Sequence, residues 1–172
     1  MTFRPAYILG GLAALFVANA FSPIGLAWNR TTSLPSGLYL ARTLTSGAPL
    51  ARGDLACFTY TPPAWAKGRY YHQGEILCKR IFGVPGDTIT TVGSEHHICH
   101  DGECTSSGTI LNVDTAGRPA EHPVWNNYTL APGEYYFGSK KVPNSYDSRY
   151  LGLISRNIIV KTIVPLLVEK AP

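Results

Sequence analysis

Glycine and proline break this chain at intervals too short for long helices, and that spacing constrains the fold more than any other feature. There are 17 glycines and 13 prolines among 172 residues. Between them lie ten tyrosines and many threonines and valines, residue types that pack well on a pleated surface. Short strands joined by tight turns are the expected outcome. Apolar residues make up 45% of the chain, enough to close a core in one principal domain without metals or many disulfides. The expected fold class is therefore mostly β, an antiparallel domain of short strands.

Strands are expected at Gly37–Leu40, Leu55–Tyr60, Ile76–Phe82, Asp87–Val92, Glu134–Phe137 and Ile158–Val168. The second follows the Arg52-Gly53-Asp54 turn, and the third ends at Gly83-Val84-Pro85-Gly86-Asp87. Residues 94–127 are polar and rich in His, Gly, Asn and Asp, and read as a small inserted subdomain or hairpin. Arg156, Lys161 and Pro165 argue against a membrane span in the last stretch.

The N-terminus sets the compartment. Arg4 precedes an apolar run from Ala6 to Ala18, and apolar character continues to Trp28. Residues 1–28 read as a signal peptide, with Ala18-Asn19-Ala20 fitting the small-x-small cleavage pattern. The competing reading is an apolar helix retained as a membrane anchor over residues 6–27. A buried helix of a soluble protein is the third reading. Both export readings put the domain of residues 29–172 outside the cytoplasm. Net charge is +4, without a dense Lys/Arg block, so no nucleic-acid partner is expected.

Cys99 and Cys104 flank an Asp101-Gly102 turn, and a disulfide across it is expected outside the cytoplasm. His96, His97 and His100 lie nearby, but the spacing is unlike a zinc motif and no metal is expected. Cys57 and Cys78 pair if their strands are neighbours. Cys78 adjoins Lys79 but points to the opposite face.

Lys79 shares a strand face with Leu77 and Ile81. Burial between them disfavours the ammonium and lowers the lysine pKa. A neutral lysine can serve as a general base; an edge lysine bending out to water is the alternative. Ser33 lies in Thr31-Thr32-Ser33-Leu34-Pro35-Ser36-Gly37, where Pro35 and Gly37 restrict and then release the backbone. A nucleophilic serine needs such a fixed turn so that its amide can bind an oxyanion; an ordinary polar linker is the alternative. The third cluster, Asn144-Ser145-Tyr146-Asp147-Ser148-Arg149, combines turn-capping side chains with an Asp and an Arg two apart.

Together these clusters resemble the type I signal peptidase family (S26). Thr31 to Pro35 resembles its nucleophile box, and Arg52 to Leu55 the strand entry that follows. Cys78-Lys79-Arg80-Ile81-Phe82-Gly83-Val84-Pro85-Gly86-Asp87 is similar to the lysine box, and Asn144 to Gly152 to the final box. The resemblance implies a signal-peptidase-like antiparallel β domain with a small second subdomain. It implies Ser33 as nucleophile and Lys79 as general base, with Ser145 orienting Lys79. Asp147 and Arg149 would hold the geometry, and Thr31 would join the Ser33 amide in the oxyanion hole. No metal or organic cofactor is implied.

One residue rather than two separates Ser33 from Pro35, and Leu34 stands where the family's housekeeping members commonly have Met. The form Ser-x-Pro-x-Gly-x-Tyr at Ser33–Tyr39 looks like the TraF branch, whose members mature conjugative pilins and in some cases join the pilin ends into a ring. The expected function is thus a Ser/Lys serine endopeptidase that processes a pilin precursor during plasmid transfer. The partners expected are that precursor or another membrane-inserted preprotein, the cytoplasmic membrane and type IV secretion components. A general signal peptidase is the rival within the class. A Ser/His/Asp triad through His122 and Asp147 and a Cys/His enzyme are competing chemistries. A non-enzymatic exported β module of a secretion channel is the rival from another class.

Overall fold

The computed structural model describes residues 23–140 and 142–169. Two antiparallel sheets account for most of them. The strands are β1 (Ile24–Asn29), β2 (Gly37–Thr43), β3 (Leu55–Thr59), β4 (Ile76–Gly83), β5 (Thr88–Val92), β6 (Glu95–His100), β7 (Glu103–Thr109), β8 (Tyr128–Thr129), β9 (Glu134–Gly138), β10 (Ile154–Ser155) and β11 (Ile159–Val168). A one-turn helix, α1 (Ser148–Leu151), lies between β9 and β10. The larger sheet has the order β1-β2-β11-β3-β4-β9-β10, and the smaller β7-β6-β5-β8.

The larger sheet follows from its apolar pattern. In β3, Leu55, Ala56, Cys57 and Phe58 are all buried, so this strand has covered faces on both sides. Ala56 and Phe58 pack with Leu77, Ile81 and Phe137 in one core cluster. Leu55 and Cys57 pack with Leu34, Tyr39 and Ile163 in another. Each large apolar side chain fully buried this way contributes about 1.5–3 kcal/mol. β4 alternates strictly, with Leu77, Lys79, Ile81 and Gly83 inward, so the strand parity read from the sequence holds.

The six expected strands are present with small shifts at their ends. Two expectations change. Within the expected signal or anchor segment, residues 1–22 lie outside the described residues, but Ile24–Asn29 is β1, paired with β2 from Ile24↔Arg42 to Asn29↔Gly37. Its apolar side chains belong to the domain's own sheet rather than to the end of a helix. The rest of the expected N-terminal apolar helix falls outside the described residues. The segment 94–127 is also more regular than expected. It contains the β6–β7 hairpin, whose turn residues Asp101 and Gly102 both have positive φ, 48° and 84°, as a two-residue hairpin loop requires. Its sheet also takes in β5 and β8, outside the expected limits.

Candidate active site

Lys79 is directed inward by β4 and retains 4% exposure. Across the ladder stands Ala56, fully buried and too small to fill the space. On the other face, Cys57 and Cys78 are opposed in the same ladder and joined by a disulfide. Burial pushes the Lys79 pKa down from 10.5 to about 8; Asp147 raises it and Arg149 lowers it to lesser degrees. The general physical reason is that an ammonium loses hydration in a dry site.

Ser33 sits in a turn held from several sides. The Asn29 amide donates to the carbonyls of Thr31, Leu34 and Pro35 at 3.0–3.1 Å. Its oxygen accepts from the Thr31 amide at 3.2 Å and the Thr31 hydroxyl at 2.8 Å. Ser139 Oγ donates to the Ser33 carbonyl at 2.9 Å, and Tyr39 Oη to that of Pro35 at 2.7 Å. Gly37 (φ +140°) then enters β2 so close to β11 that a Cβ would lie 2.2 Å from the Leu167 carbonyl oxygen.

These constraints bring three polar groups to one point. Lys79 Nζ donates to Ser33 Oγ and to Ser145 Oγ at 3.1 Å. The two serine oxygens are 3.3 Å apart. Neutral Lys79 could accept the Ser33 proton, while Ser145 fixes the amine's direction.

Arg149 supports Ser145 from beneath. It is fully buried with Asp147, as are both their side chains. Its Nε and Nη2 each lie 2.9 Å from an Asp147 oxygen. The remaining donors reach the carbonyls of Thr109, Pro143, Val142 and Ser145 at 2.8–3.2 Å. The guanidinium thus ties the Val142–Ser145 turn to the end of β7. Gly108 (φ +95°) permits that approach, since a Cβ there would meet the Lys140 carbonyl oxygen at 3.0 Å.

The expected site residues Ser33, Lys79, Ser145, Asp147 and Arg149 therefore converge. Thr31 is nearby, but its hydroxyl donates to Asn29, so it is engaged in holding the turn rather than free for an oxyanion. Asp147 is committed to Arg149, and His122 neighbours Pro123 and His96; the triad reading gains no geometry from them. His96 is buried and its pKa is pushed by burial to about 4. Among the described residues no group of three or more His, Cys, Asp or Glu side chains is arranged to hold a metal. Cys99 and Cys104 are disulfide-bonded across the hairpin. Asn29 and Ser139 were missed by sequence reasoning. Asn29 had a readable signal, an Asx residue two positions before a hydroxyl-rich turn; Ser139 had none.

Two clefts meet at Ser33. One, about 590 Å³, runs toward Trp65, Tyr70 and Tyr146. The other, about 620 Å³, runs toward Arg80, Phe82 and Lys140. A polypeptide crossing Ser33 would have room on both sides of a scissile bond.

The family model described as signal peptidase, peptidase S26, matches residues 2–167. The chain belongs to the S26 signal peptidase family. Two proteins of Escherichia coli, each named plasmid transfer protein TraF, are 30% and 31% identical to it, the matches covering 92% and 93% of this chain and 92% of each relative. The signal peptidase I of Leptolyngbya laminosa is 30% identical over 67% of this chain and 52% of its own length. The sequence boxes that resemble the family's also have structural work away from Ser33 and Lys79. Asp87, buried at the end of the lysine box, accepts from Arg52 at 2.6 Å, His100 at 3.0 Å and the Val84 amide at 2.9 Å. The Arg52–Asp54 turn is laced to β4 by backbone bonds between Gly53 or Asp54 and Ile81 at 2.8–2.9 Å.

Proposed function

We propose that this S26 peptidase is a serine endopeptidase with a Ser33/Lys79 dyad that processes a conjugative pilin precursor during plasmid transfer. The observation that carries the chemistry is Lys79 Nζ, buried yet bonded to both Ser33 and Ser145. Ser33 Oγ attacks the scissile carbonyl carbon while its proton passes to Lys79 Nζ. The Ser33 amide stabilises the oxyanion. Collapse of the tetrahedral adduct breaks the C–N bond, and Lys79 returns the proton to the departing amine. The acyl-enzyme then yields to water, giving a free carboxylate, or to an amine, giving a new peptide bond and hence a ring. In either case Lys79 takes the attacking group's proton and restores it to Ser33. Asp147 and Arg149 act through Ser145, as positioning residues.

Two relatives named for plasmid transfer, matched over nearly their full length, support the pilin as substrate. The outer face of β1, β2 and β11 supports action at a membrane surface. In register across it lie Leu26, Leu40 and Val164, and then Trp28, Leu38 and Leu167. Trp28 and Leu167 are 63% and 73% exposed, and a contiguous apolar face of this kind suits a lipid interface. On this reading the domain rests on the periplasmic face of the cytoplasmic membrane, among type IV secretion components.

Mass spectrometry of a co-expressed pilin precursor tests the proposal. Wild type is expected to remove a terminal segment, with loss of one further water if a ring forms. Ser33→Ala and Lys79→Ala are each expected to accumulate folded protein and leave the precursor intact. Normal maturation in either variant would overturn the dyad.

A further inference from the structure

The cleft on the Tyr146 side of Ser33 has walls of an unusual kind. Tyr146 follows Ser145 directly in sequence, and its ring lies 4.6 Å from that of Tyr70, 5.8 Å from Tyr60 and 6.2 Å from Trp65 and Tyr71. Tyr60 begins and Tyr71 lies within the β3–β4 connection, so two distant segments build one aromatic surface. The loop after β7 closes it: Tyr70 Oη donates to Asp114 at 3.0 Å, and Arg69 to the Pro119 carbonyl at 2.7 Å.

The hydroxyls of these rings are largely spent within the protein. Those of Tyr60 and Tyr146 are 3.2 Å apart, that of Tyr70 is on Asp114, and that of Tyr150 accepts from the Leu111 amide at 2.9 Å. What the cleft offers is therefore ring faces and edges. Its volume of about 590 Å³ far exceeds the need of an alanine side chain. Its acid, Asp114, is paired with Arg118 at 2.8 Å, while Arg30, Arg69 and Arg118 border the cleft or its walls. Arg69 and Arg118 already lie over Trp65 and Tyr70, 5.6 and 5.8 Å from the ring centroids. A cationic ligand would face like charge on surfaces already occupied by cations.

We infer that this cleft is a specificity subsite for a bulky aromatic side chain of the substrate, close to the bond that Ser33 attacks, and that it discriminates against Lys and Arg. Offset and edge-to-face ring contacts with Tyr146, Tyr70 and Trp65 supply the selection. The inference rests on the Ser33/Lys79 reading only in treating the occupant as substrate; the subsite's ligand chemistry stands on the cleft itself.

The test uses internally quenched peptides, alike except that Phe, Ala or Lys is placed in turn at each position around a central small-residue pair. Wild type is expected to show at one position a kcat/KM for Phe at least roughly tenfold above Ala, with Lys below Ala. Trp65→Ala and Tyr71→Ala, both at half-buried positions, are expected to bring the Phe/Ala ratio toward one, mainly through KM. In parallel, binding of the same peptides to Ser33→Ala is measured by calorimetry, and the Phe peptide is expected to bind about tenfold tighter. Cleavage without an aromatic preference overturns the subsite and leaves the dyad standing. Preferential binding of Phe to Ser33→Ala with no wild-type cleavage of any peptide supports the subsite and counts against the dyad. Neither cleavage nor preferential binding overturns both.

Discussion

Ala56 stands directly across the β3–β4 ladder from Lys79, and both are buried in the same sheet. A larger residue at position 56 would take the space in which the lysine chain lies. Ala56→Leu is therefore expected to cost about 1–3 kcal/mol of stability through overpacking. It is also expected to lower kcat by more than tenfold, because a displaced Nζ loses its alignment with Ser33. Denaturant unfolding together with peptide cleavage checks this; unaltered kcat in a folded Ala56→Leu protein would show that the slot does not position Lys79.

Burial of Lys79 has a cost for the fold. A shift from 10.5 to about 8 corresponds to roughly 3 kcal/mol at neutral pH. Its sign follows from proton binding. Between about pH 8 and 10.5 the unfolded chain holds a proton that the folded protein lacks, so this group's contribution rises with pH across that window. Below pH 8 both states carry the proton and the penalty is complete. Lys79→Met is thus expected to be inactive yet more stable than wild type at pH 7, with the gain shrinking as pH approaches 10.5. Unfolding curves for both proteins at pH 7 and pH 10 measure it; a loss of stability at pH 7 would mean that the buried amine is net stabilising.

Arg149 and Asp147 form a wholly buried pair, and breaking such a pair strands a charge. Arg149→Met is expected to destabilise by about 3–5 kcal/mol, visible as a large fall in Tm. Arg149→Lys keeps the charge but has no fork to span Asp147 and the four carbonyls. It is expected to stay well below wild type in both Tm and kcat, because the Ser145 turn loses its anchor. Wild-type behaviour of Arg149→Lys would assign the role to charge alone.

Much of the fold was legible because turns announced themselves. Gly-Val-Pro-Gly-Asp after β4 and Asp-Gly within the β6–β7 hairpin marked where strands end. β1 was hidden because Ile24, Leu26 and Trp28 continue the apolar character of the preceding run, and hydrophobicity alone does not separate a strand from the tail of a span. β6 and β7 were hidden for the opposite reason: their His, Glu, Thr and Ser side chains are held by ladder pairing and the Cys99–Cys104 bond rather than by apolar alternation. At the site, parity alone identified the inward face of Lys79. Its partner Ser33 is 46 residues away, and resemblance rather than periodicity joined them. The aromatic cleft was illegible because its rings come from separate segments that only the fold assembles.

The most direct test of the Ser33/Lys79 pairing is the pH dependence of kcat/KM on a cleaved peptide. Deprotonation of Lys79 with a pKa of about 8 predicts a rate that climbs tenfold per pH unit in the acid limb and levels off above an inflection near pH 8. A rate still climbing to an inflection near the lysine reference of about 10.4, or one independent of pH between 6 and 9, would contradict Lys79 as the buried base.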